Sequence, residues 1–321
     1  MDKIKTGAFI VPTGIGASIG GYAGDASCLA REFSKKCRLI VNPNVVNAGG
    51  FSGITDNMLY VEGYSLDEFF KANLNLLPVE KPNKIGVIFD KAIPKGVLNV
   101  HINTINAVKT VYGCNIIGYE ITDEDAGVEF FVDESGISTG RVNNISTILD
   151  SGKRLLSQGV EALAIVCRFE DDDFDDYANG IGVDPVGGVE AIISHYISRE
   201  LKVPCAHSPA FDDITISQEI VDSRCSSEYI TPTYLPCILL GLSQAPHLTA
   251  DKKGICVSDL DFLVMPYDSL GSIPVLECIK RNIKVYAVKE NSTVLDITKS
   301  KISPNITEAE SYKSILDLLC K

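Results

Sequence analysis

Two short proline-containing segments carry the side chains best suited to acid–base chemistry. Cys205 and His207 stand two residues apart in PCAHSP, and Cys237 follows a proline in TPTYLPC. A neighbouring proline restricts the backbone, which suits a side chain that has to be held in one place. Two thiols facing each other could remove and return a proton on opposite faces of a carbon atom, with the imidazole keeping one thiol as a thiolate. We add His195 and Asp184 as candidate catalytic residues, because both lie in the segment VDPVGGVEAIISH.

The same residues allow two other interpretations. Cys205 and His207, completed by Cys237 or His195, could bind zinc or iron, although their spacing matches no standard ligand set. The thiols could also be structural, since buried cysteines commonly pack as small hydrophobic residues. No cofactor is predicted, and a divalent metal stays as the alternative.

A glycine-rich loop near the N-terminus is the first candidate for ligand binding. It reads PTGIGASIGG over 12–21 and follows an apolar run, so Thr13, Gly14, Gly16, Gly20 and Gly21 could present backbone N–H groups to an anion. The loop matches neither the GxGxxG dinucleotide fingerprint nor a Walker sequence. A tight turn between a strand and a helix would explain the glycines equally well.

Polar residues follow several other apolar runs, where open α/β sheets bind their ligands. Arg168 comes directly after ALAIVC, and its guanidinium would suit a carboxylate or a phosphate. Asn44, Glu290 and Asn291 stand in the same kind of position. We therefore include all four as candidate ligand-binding residues.

Two helix starts complete the candidate ligand site. Gly187 and Gly188 follow Asp184 and a proline, so that Asp184 is expected to be the N-cap of a helix with the proline in its first turn. Ser272 is expected to open a helix in the same way. Backbone N–H groups at such helix starts favour an anionic or polar ligand.

The elements that must position these residues are short apolar runs alternating with helical patterns. Strands are predicted at 8–11, 39–41, 59–61, 85–89, 116–121, 163–167, 262–265 and 285–288, and helices at 26–36, 100–112, 145–157, 189–200, 275–282 and 307–319. Strands that are apolar throughout indicate a parallel sheet covered by helices on both faces. The sequence thus predicts an α/β protein of two Rossmann-like lobes with mostly parallel sheets.

The division of the chain into lobes is less defined. An N-terminal α/β portion is expected over 1–82 and 83–144 and a C-terminal one over 145–321, although one continuous domain would also fit. The proline-rich segment 205–246 is expected to be an irregular insertion. The acidic run EDDDFDD at 170–176 predicts a solvated loop.

The overall charge narrows the choice of partner. Acidic residues outnumber basic ones 42 to 29 among 321 residues, which gives a formal net charge of -13. Such a field repels nucleic acid and anionic membrane surfaces. We therefore expect a small-molecule ligand, anionic if a locally positive pocket holds it, and neither nucleic acid nor membrane as partner; a homo-oligomer is compatible with the sequence.

The cysteines and the N-terminus bear on the compartment. The ten cysteines form no CxxC pair and several lie in apolar runs, which is typical of free thiols in a reducing compartment. The apolar stretch near the N-terminus is interrupted by Pro12 and by glycines, unlike a secretory signal. The sequence therefore predicts a cytoplasmic protein.

Several segments together resemble an uncharacterised protein family that is frequent in cyanobacteria, domain of unknown function 3326. They are PTGIGASIGGYAGDA (12–26), NPNVVNAG (42–49), YVEGY (60–64), VDPVGGVEAIISH (183–195), PCAHSPA (204–210), TPTYLPCILLGL (231–242) and VKENSTVLDIT (288–298). The resemblance spans nearly all of the chain and brings no activity with it.

The leading hypothesis from the sequence is an enzyme that acts on an acid-bearing metabolite in a cleft between the lobes. An isomerase, racemase or lyase that uses Cys/His acid–base chemistry fits best, because no complete cofactor fingerprint is present. The alternatives are a metal-dependent enzyme with a Cys/His site, a transferase that uses phosphate or a nucleotide, and a non-catalytic metabolite-binding protein.

Overall fold

The computed structural model describes residues 4–170, 175–251 and 253–319. The strands are β1 (Thr6–Phe9), β2 (Arg38–Val41), β3 (Asn47–Ala48), β4 (Phe51–Ser52), β5 (Met58–Tyr60), β6 (Asn75–Leu77), β7 (Ile85–Phe89), β8 (Ile116–Ile121), β9 (Val128–Val132), β10 (Ser138–Val142), β11 (Ala162–Phe169), β12 (Cys205–Phe211), β13 (His247–Thr249), β14 (Phe262–Pro266), β15 (Lys284–Val288) and β16 (Thr307–Ala309). All eight predicted strands are present, with small shifts at their ends.

The helices are α1 (Ser27–Ser34), α2 (Pro43–Val46), α3 (Gly63–Phe70), α4 (Lys95–Tyr112), α5 (Ile145–Ser157), α6 (Asp175–Ala178), α7 (Gly187–Leu201), α8 (Ser226–Tyr229), α9 (Leu235–Ser243), α10 (Ile273–Lys280), α11 (Lys299–Ile302) and α12 (Tyr312–Leu319), with one 3-10 turn at Val257–Asp259. The helix predicted over 307–319 is wrong in its first part, because Thr307–Ala309 adds a strand to the sheet beside β15. Within the described residues, no helix is long and apolar enough to cross a membrane.

Two parallel sheets organise the fold. The larger sheet has six strands in the order β16-β15-β14-β1-β2-β5, and the smaller has four in the order β12-β11-β7-β8. All neighbouring strands within these two sheets run parallel. The predicted α/β class with mostly parallel sheets is confirmed.

Helices cover both faces of the smaller sheet, as the uniformly apolar strands require. On one face, Ala164 and Val166 of β11 pack in the same cluster as residues of α4 and α9. On the other face, Leu163 and Ile165 pack in the same cluster as residues of α5 and α7. Side chains of a strand alternate between faces, so neighbouring residues of β11 and β12 enter different layers.

The sheets divide the chain differently from the predicted portions. The larger sheet takes β1, β2 and β5 from the start of the chain and β14 to β16 from its end, whereas the smaller sheet is built from β7, β8, β11 and β12 between them. The chain therefore leaves the first sheet, forms the second and returns. The expected boundaries near 82 and 144 correspond only in part to this arrangement.

The prediction of an irregular insertion over 205–246 is wrong in two places. Its first residues form strand β12, which pairs with β11 along its whole length, and its last part contains helix α9. Pro209 is tolerated because β12 is an edge strand, and Pro236 stands in the first turn of α9, where its missing N–H costs nothing. Of the acidic run at 170–176, residues 171–174 lie outside the described residues.

Candidate functional site

A cavity of about 490 Å³ lies where the carboxyl ends of the two sheets meet. Thr13 and Asn44 approach it from the segments after β1 and β2, and His207 approaches it from β12. This position agrees with the general rule that open α/β sheets bind ligands beyond the ends of their strands. The predicted site residues on its wall are Thr13, Gly21, Asn44, Asp184, Gly187, His207 and Cys237.

The most unusual feature of the wall is the buried carboxyl of Glu190. Glu190 lies in the first turn of α7 and is 7% exposed, and its Oε1 atom has no hydrogen-bond partner. Its Oε2 atom lies 3.8 Å from Nε2 of His207. Burial raises the pKa of Glu190 well above its usual range, and the nearby acids Asp184 and Glu228 raise it further. Burial therefore favours the protonated form of this carboxyl.

His207 faces Glu190 as a neutral imidazole. Burial lowers the pKa of His207 to about 3. Its Nδ1 atom lies 2.9 Å from Oγ of Ser194, whose hydroxyl donates to the backbone carbonyls of Glu190 and Ala191. Either atom can be the donor in this contact, and in the tautomer in which Nδ1–H donates to Ser194 the Nε2 atom keeps its lone pair. In that tautomer the lone pair is on the nitrogen that lies beside Glu190.

Two further acids extend this wall. Glu228 accepts a hydrogen bond of 2.9 Å from the hydroxyl of Tyr177, and burial raises its pKa to about 8. Asp184 accepts from the backbone N–H groups of Val186 and Gly187 at 3.0 and 3.2 Å. Burial raises the pKa of Asp184, and those two hydrogen bonds oppose the shift. The helix itself begins at Gly187 with Val186 as N-cap, so the expectation that Asp184 is the N-cap is corrected, although its carboxyl still serves the helix start.

The structure does not bring the two predicted thiols together. Cys237 lines the cavity from α9, where its thiol donates to the carbonyl of Tyr234 at 3.1 Å. Cys205 points into the layer on the opposite face of the sheet, packed with residues of α5 and α7. Burial raises the pKa of Cys237 to about 12 and raises that of Cys205 as well, so neither is a thiolate at neutral pH. The paired-thiol arrangement is therefore corrected.

The remaining catalytic candidate, His195, lies elsewhere on α7. Its ring contacts Tyr64 edge-on with the ring centroids 5.5 Å apart, and it does not line the cavity. The alternative metal set of Cys205, His207 and His195 is not assembled. In the described part of the chain, no group of three or more His, Cys, Asp or Glu side chains is arranged to hold a metal ion.

The glycine-rich loop reaches the cavity only at Thr13 and Gly21. Three of its backbone N–H groups are used within the protein: Ser18 donates to the Ser292 carbonyl at 2.8 Å, Ile19 to Oδ1 of Asn291 at 3.0 Å, and Gly20 to Oδ1 of Asp25 at 2.8 Å. The positive φ of +83° at Gly20 explains the glycine there. The loop is held as a turn, so these N–H groups are not presented to an anion.

Arg168 is engaged by a neighbouring acid. Its guanidinium makes a two-point ion pair with Asp212, through Nε to Oδ1 at 2.9 Å and Nη2 to Oδ2 at 2.6 Å. It does not line the cavity. The Arg168 guanidinium, which we expected to bind a ligand carboxylate, is thus already paired with a carboxylate of the protein.

The other candidates outside the cavity wall have structural surroundings. Asn291 ties the glycine-rich loop to Tyr312, Glu290 accepts from the backbone N–H of Tyr312, and Ser272 is the N-cap of α10. A Cβ atom on Gly188 would lie 2.0 Å from the Ser138 carbonyl oxygen, so this glycine allows close packing. The candidates that do not line the cavity are Gly14, Gly16, Gly20, Gly188, Arg168, Cys205, His195, Ser272, Glu290 and Asn291.

Glu190 and Glu228 were missed as site residues by the sequence analysis. A signal for Glu190 existed, because it falls on the same helical face as Ile193 and Ile197, at i+3 and i+7. An acid on the apolar face of a helix is rarely buried without a reason. Glu228 offers no comparable pattern, since it lies in a short helix after an irregular segment.

The fold and the cavity define an α/β protein with two parallel sheets and buried carboxyl groups around the space between their ends. The chain belongs to the family described as protein of unknown function (DUF3326), whose model matches residues 6–320. The resemblance noted in the sequence is thereby confirmed. The chain is also 38% identical over 306 residues, 92% of its length and 85% of the relative, to a protein of Synechococcus sp. named an uncharacterized lipoprotein. No solved structure matches the chain.

The predicted cytoplasmic location is contradicted by the name of this relative, and we withdraw it. The prediction rested largely on the scattered cysteines. Cys167, Cys205 and Cys237 are each at most 2% exposed, and burial raises their pKa values. Thiols that are so protected react slowly in any compartment, so they carry little information about location.

Proposed function

We propose that this protein is an enzyme that transfers protons on a small metabolite, an isomerase, racemase or lyase, with Glu190 and His207 as its acid and base. The observation that carries the proposal is the unpartnered carboxyl oxygen of Glu190, buried on the wall of a ligand-sized cavity in a carboxyl that lies beside Nε2 of His207. A buried polar atom without a partner costs about 1–3 kcal/mol, a cost that a ligand bound in the cavity and donating to this oxygen would offset.

The two groups have complementary protonation states. Burial raises the pKa of Glu190 and lowers that of His207 to about 3, so burial favours the protonated carboxyl and the neutral imidazole. Groups whose environments separate their pKa values in this way are typical acid and base partners. In the proposed step, Nε2 of His207 accepts a proton from a substrate carbon. The electron pair of that C–H bond moves toward a neighbouring oxygen, which Glu190 protonates.

The step is completed in one of two ways. Delivery of a proton to the opposite face of the same carbon gives a racemase, and delivery to an adjacent carbon gives an isomerase. In a lyase, a group on the adjacent carbon leaves with the electron pair of its bond and takes the proton held by His207, while the oxygen returns its proton to Glu190. Cys237 takes no proton-transfer role here, because its thiol stays protonated at neutral pH. Two alternatives stay predictions, a transferase that uses phosphate or a nucleotide and a metal-dependent enzyme. No contact among the described residues of the cavity favours either of them.

The test is incorporation of solvent deuterium. The protein is incubated in D₂O with pools of soluble metabolites, and mass spectrometry detects any compound that gains deuterium at carbon or is converted. We expect wild-type protein to label or convert at least one compound. Glu190→Gln and His207→Gln should lower the rate by about 10²–10⁴-fold, the usual contribution of a positioned acid or base.

Glu200→Gln is the matched control, because Glu200 lies on the same helix α7 but is exposed and pairs with Arg199. It should leave the rate unchanged. A compound that raises the melting temperature of the wild type while no compound gains deuterium or is converted would point to a non-catalytic metabolite-binding protein, and the proposal would be abandoned.

A further inference from the structure

The charges around the cavity point to the chemical class of its ligand. We infer that this ligand is a small molecule with a protonated amino group, held by the carboxyl groups of the cavity wall. The inference shares with the proposed function the cavity as the ligand site and Glu190 as one of its residues, and it does not depend on the proposed reaction. It differs from the expectation of an anionic ligand, which the sequence suggested and which the wall does not favour.

In the described part of the chain, the cavity wall carries acidic side chains and no Lys or Arg to balance their charge. Asp184, Glu190, Asp213 and Glu228 line the cavity, while no Lys or Arg of the described chain does so. A metabolite carboxylate or phosphate would therefore meet the oxygen atoms of four carboxyl groups with no side-chain cation of the described residues on the wall. Each of these carboxyls that is ionised repels an anion, whereas an ammonium group can donate to the carboxyl oxygens and stabilises their ionised forms.

The arginines closest to this region are committed to other groups. Arg224 lies over the Tyr22 ring, 4.4 Å from its centroid, and donates to Asp222 and to the Gly180 carbonyl. Arg168 makes the two-point ion pair with Asp212. Neither guanidinium lines the cavity, so the missing positive charge has to come from the ligand.

Two further features suit an ammonium group. The unpartnered Oε1 of Glu190 is a buried acceptor on the cavity wall, and an ammonium group has three N–H donors to offer. The rings of Tyr177, Tyr229 and Tyr234 also belong to the lining, whereas the Tyr22 ring is already stacked on Tyr177 and covered by Arg224. Aromatic faces attract cations, and tyrosine is among the better rings for this.

The raised pKa values of two of these acids come mainly from burial and in part from neighbouring acids. Burial raises the pKa of Glu228 to about 8 and that of Glu190 well above its usual range, and Asp184 raises both further. A bound ammonium group would provide the opposite charge that stabilises the ionised carboxylates. The net charge of -13 adds a long-range field that concentrates cations near the protein.

The test uses matched probes that differ in charge but hardly in size. Three sets serve: glucosamine, glucose and glucuronate; 1,4-diaminobutane, butane-1,4-diol and succinate; and 2-phenylethylamine, 2-phenylethanol and phenylacetate. Melting temperature and titration calorimetry are measured with each compound at millimolar concentration. We expect at least one amine to bind and to raise the melting temperature, as any ligand that prefers the native state must, while its alcohol and carboxylate counterparts do not.

The variants locate the binding. Glu190→Gln and Glu228→Gln should each weaken the bound amine by about tenfold or more, which corresponds to the loss of about 1.4 kcal/mol. Glu200→Gln should bind it as the wild type does. Equal or tighter binding of an alcohol or a carboxylate would overturn the inference. So would the failure of every amine, or a stabilisation by Mg²⁺ or Ca²⁺ alone.

These outcomes are separable from those of the proposed function. If an amine binds through Glu190 but no amine gains deuterium or is converted, this inference stands and the proposed reaction is wrong. If a substrate without an amino group is turned over and the turnover depends on Glu190, the proposed reaction stands and this inference is wrong.

Discussion

The glycine-rich loop (12–21) and the wall formed by α7 and β12 both border the cavity, but they differ in whether their polar groups have hydrogen-bond partners in the protein. In the loop, N–H groups of Ser18, Ile19 and Gly20 all find acceptors inside the protein. In the wall, Oε1 of Glu190 has no partner, and Nε2 of His207 lies 3.8 Å from the other carboxyl oxygen, too far for a hydrogen bond.

This difference separates scaffold from site. The N–H groups of Ser18, Ile19 and Gly20 are bound to acceptors of the protein and are therefore not offered to a ligand. An unsatisfied buried carboxyl destabilises the empty protein and gains most when a ligand donates to it. Substitutions should therefore lower the stability of the protein on the loop side, and on the wall side they should preserve or raise it.

The largest expected effect is on the loop side, at Asn291. This fully buried side chain accepts from the N–H of Ile19 and donates to the Ile19 carbonyl and the Tyr312 hydroxyl, at 3.0, 2.7 and 2.7 Å. Asn291→Ala leaves buried partners unsatisfied at about 1–3 kcal/mol each, so we expect the free energy of unfolding to fall by about 3 kcal/mol or more. Urea unfolding measures this change.

Asn305→Ala is the control for that measurement, because Asn305 is exposed. It should change the free energy of unfolding by less than about 0.5 kcal/mol. A loss below about 1 kcal/mol for Asn291→Ala would mean that the loop is held by other contacts, and the contrast between loop and wall would disappear.

On the wall side, Glu228 makes stability depend on pH. Burial raises its pKa from 4.5 to about 8, so between these values the unfolded chain loses a proton that the folded protein keeps. The contribution of Glu228 to stability is then largest below pH 4.5 and falls as pH rises toward 8, by up to about 1.4 kcal/mol per pH unit. Glu228→Gln has no proton to lose, and its amide oxygen can still accept from Tyr177.

We therefore expect Glu228→Gln to gain stability over the wild type as pH rises through that interval, in urea unfolding at a series of pH values. A shallower decline should remain in the variant, because Glu190 also has a raised pKa. Glu200→Gln should follow the wild-type curve. If the wild-type and Glu228→Gln curves run parallel, Glu228 is ionised in the folded protein. Its pKa is then not raised as we describe.

Much of the fold could be predicted from the sequence because apolar runs mark buried parallel strands. Runs such as IGVIF and ALAIVC became β7 and most of β11. Strand β12 was missed because PCAHSPAF contains two prolines and little β-branching, and only its position at the edge of the sheet makes Pro209 acceptable. Edge positions follow from the strand order, which a single sequence does not contain.

The site was predictable only in part. His207, Cys237 and Asp184 do line the cavity, since residues after strands and near helix starts tend to converge there. Cys205 does not, because it lies in β12 with its side chain in the layer opposite α9, the helix that carries Cys237. The face of the sheet that each helix covers depends on how the chain connects its elements in space. The spacing of Cys205 and Cys237 in the sequence therefore does not show whether their thiols are close together.

The smallest expected effect is at Asp184, which belongs to both sides of the comparison. Its Oδ1 accepts from two N–H groups at the start of α7, as a scaffold residue would, yet it also lines the cavity. Asp184→Ala should cost about 1 kcal/mol of unfolding free energy through the lost acceptor, whereas Asp184→Asn keeps an acceptor and should cost less than about 0.5 kcal/mol. If urea unfolding gives both variants the same loss, the helix start depends on the negative charge of Asp184. Asp184 would then be ionised in the empty cavity. Of the three wall acids with raised pKa values, only Glu190 and Glu228 would remain as groups that keep a proton in the folded protein.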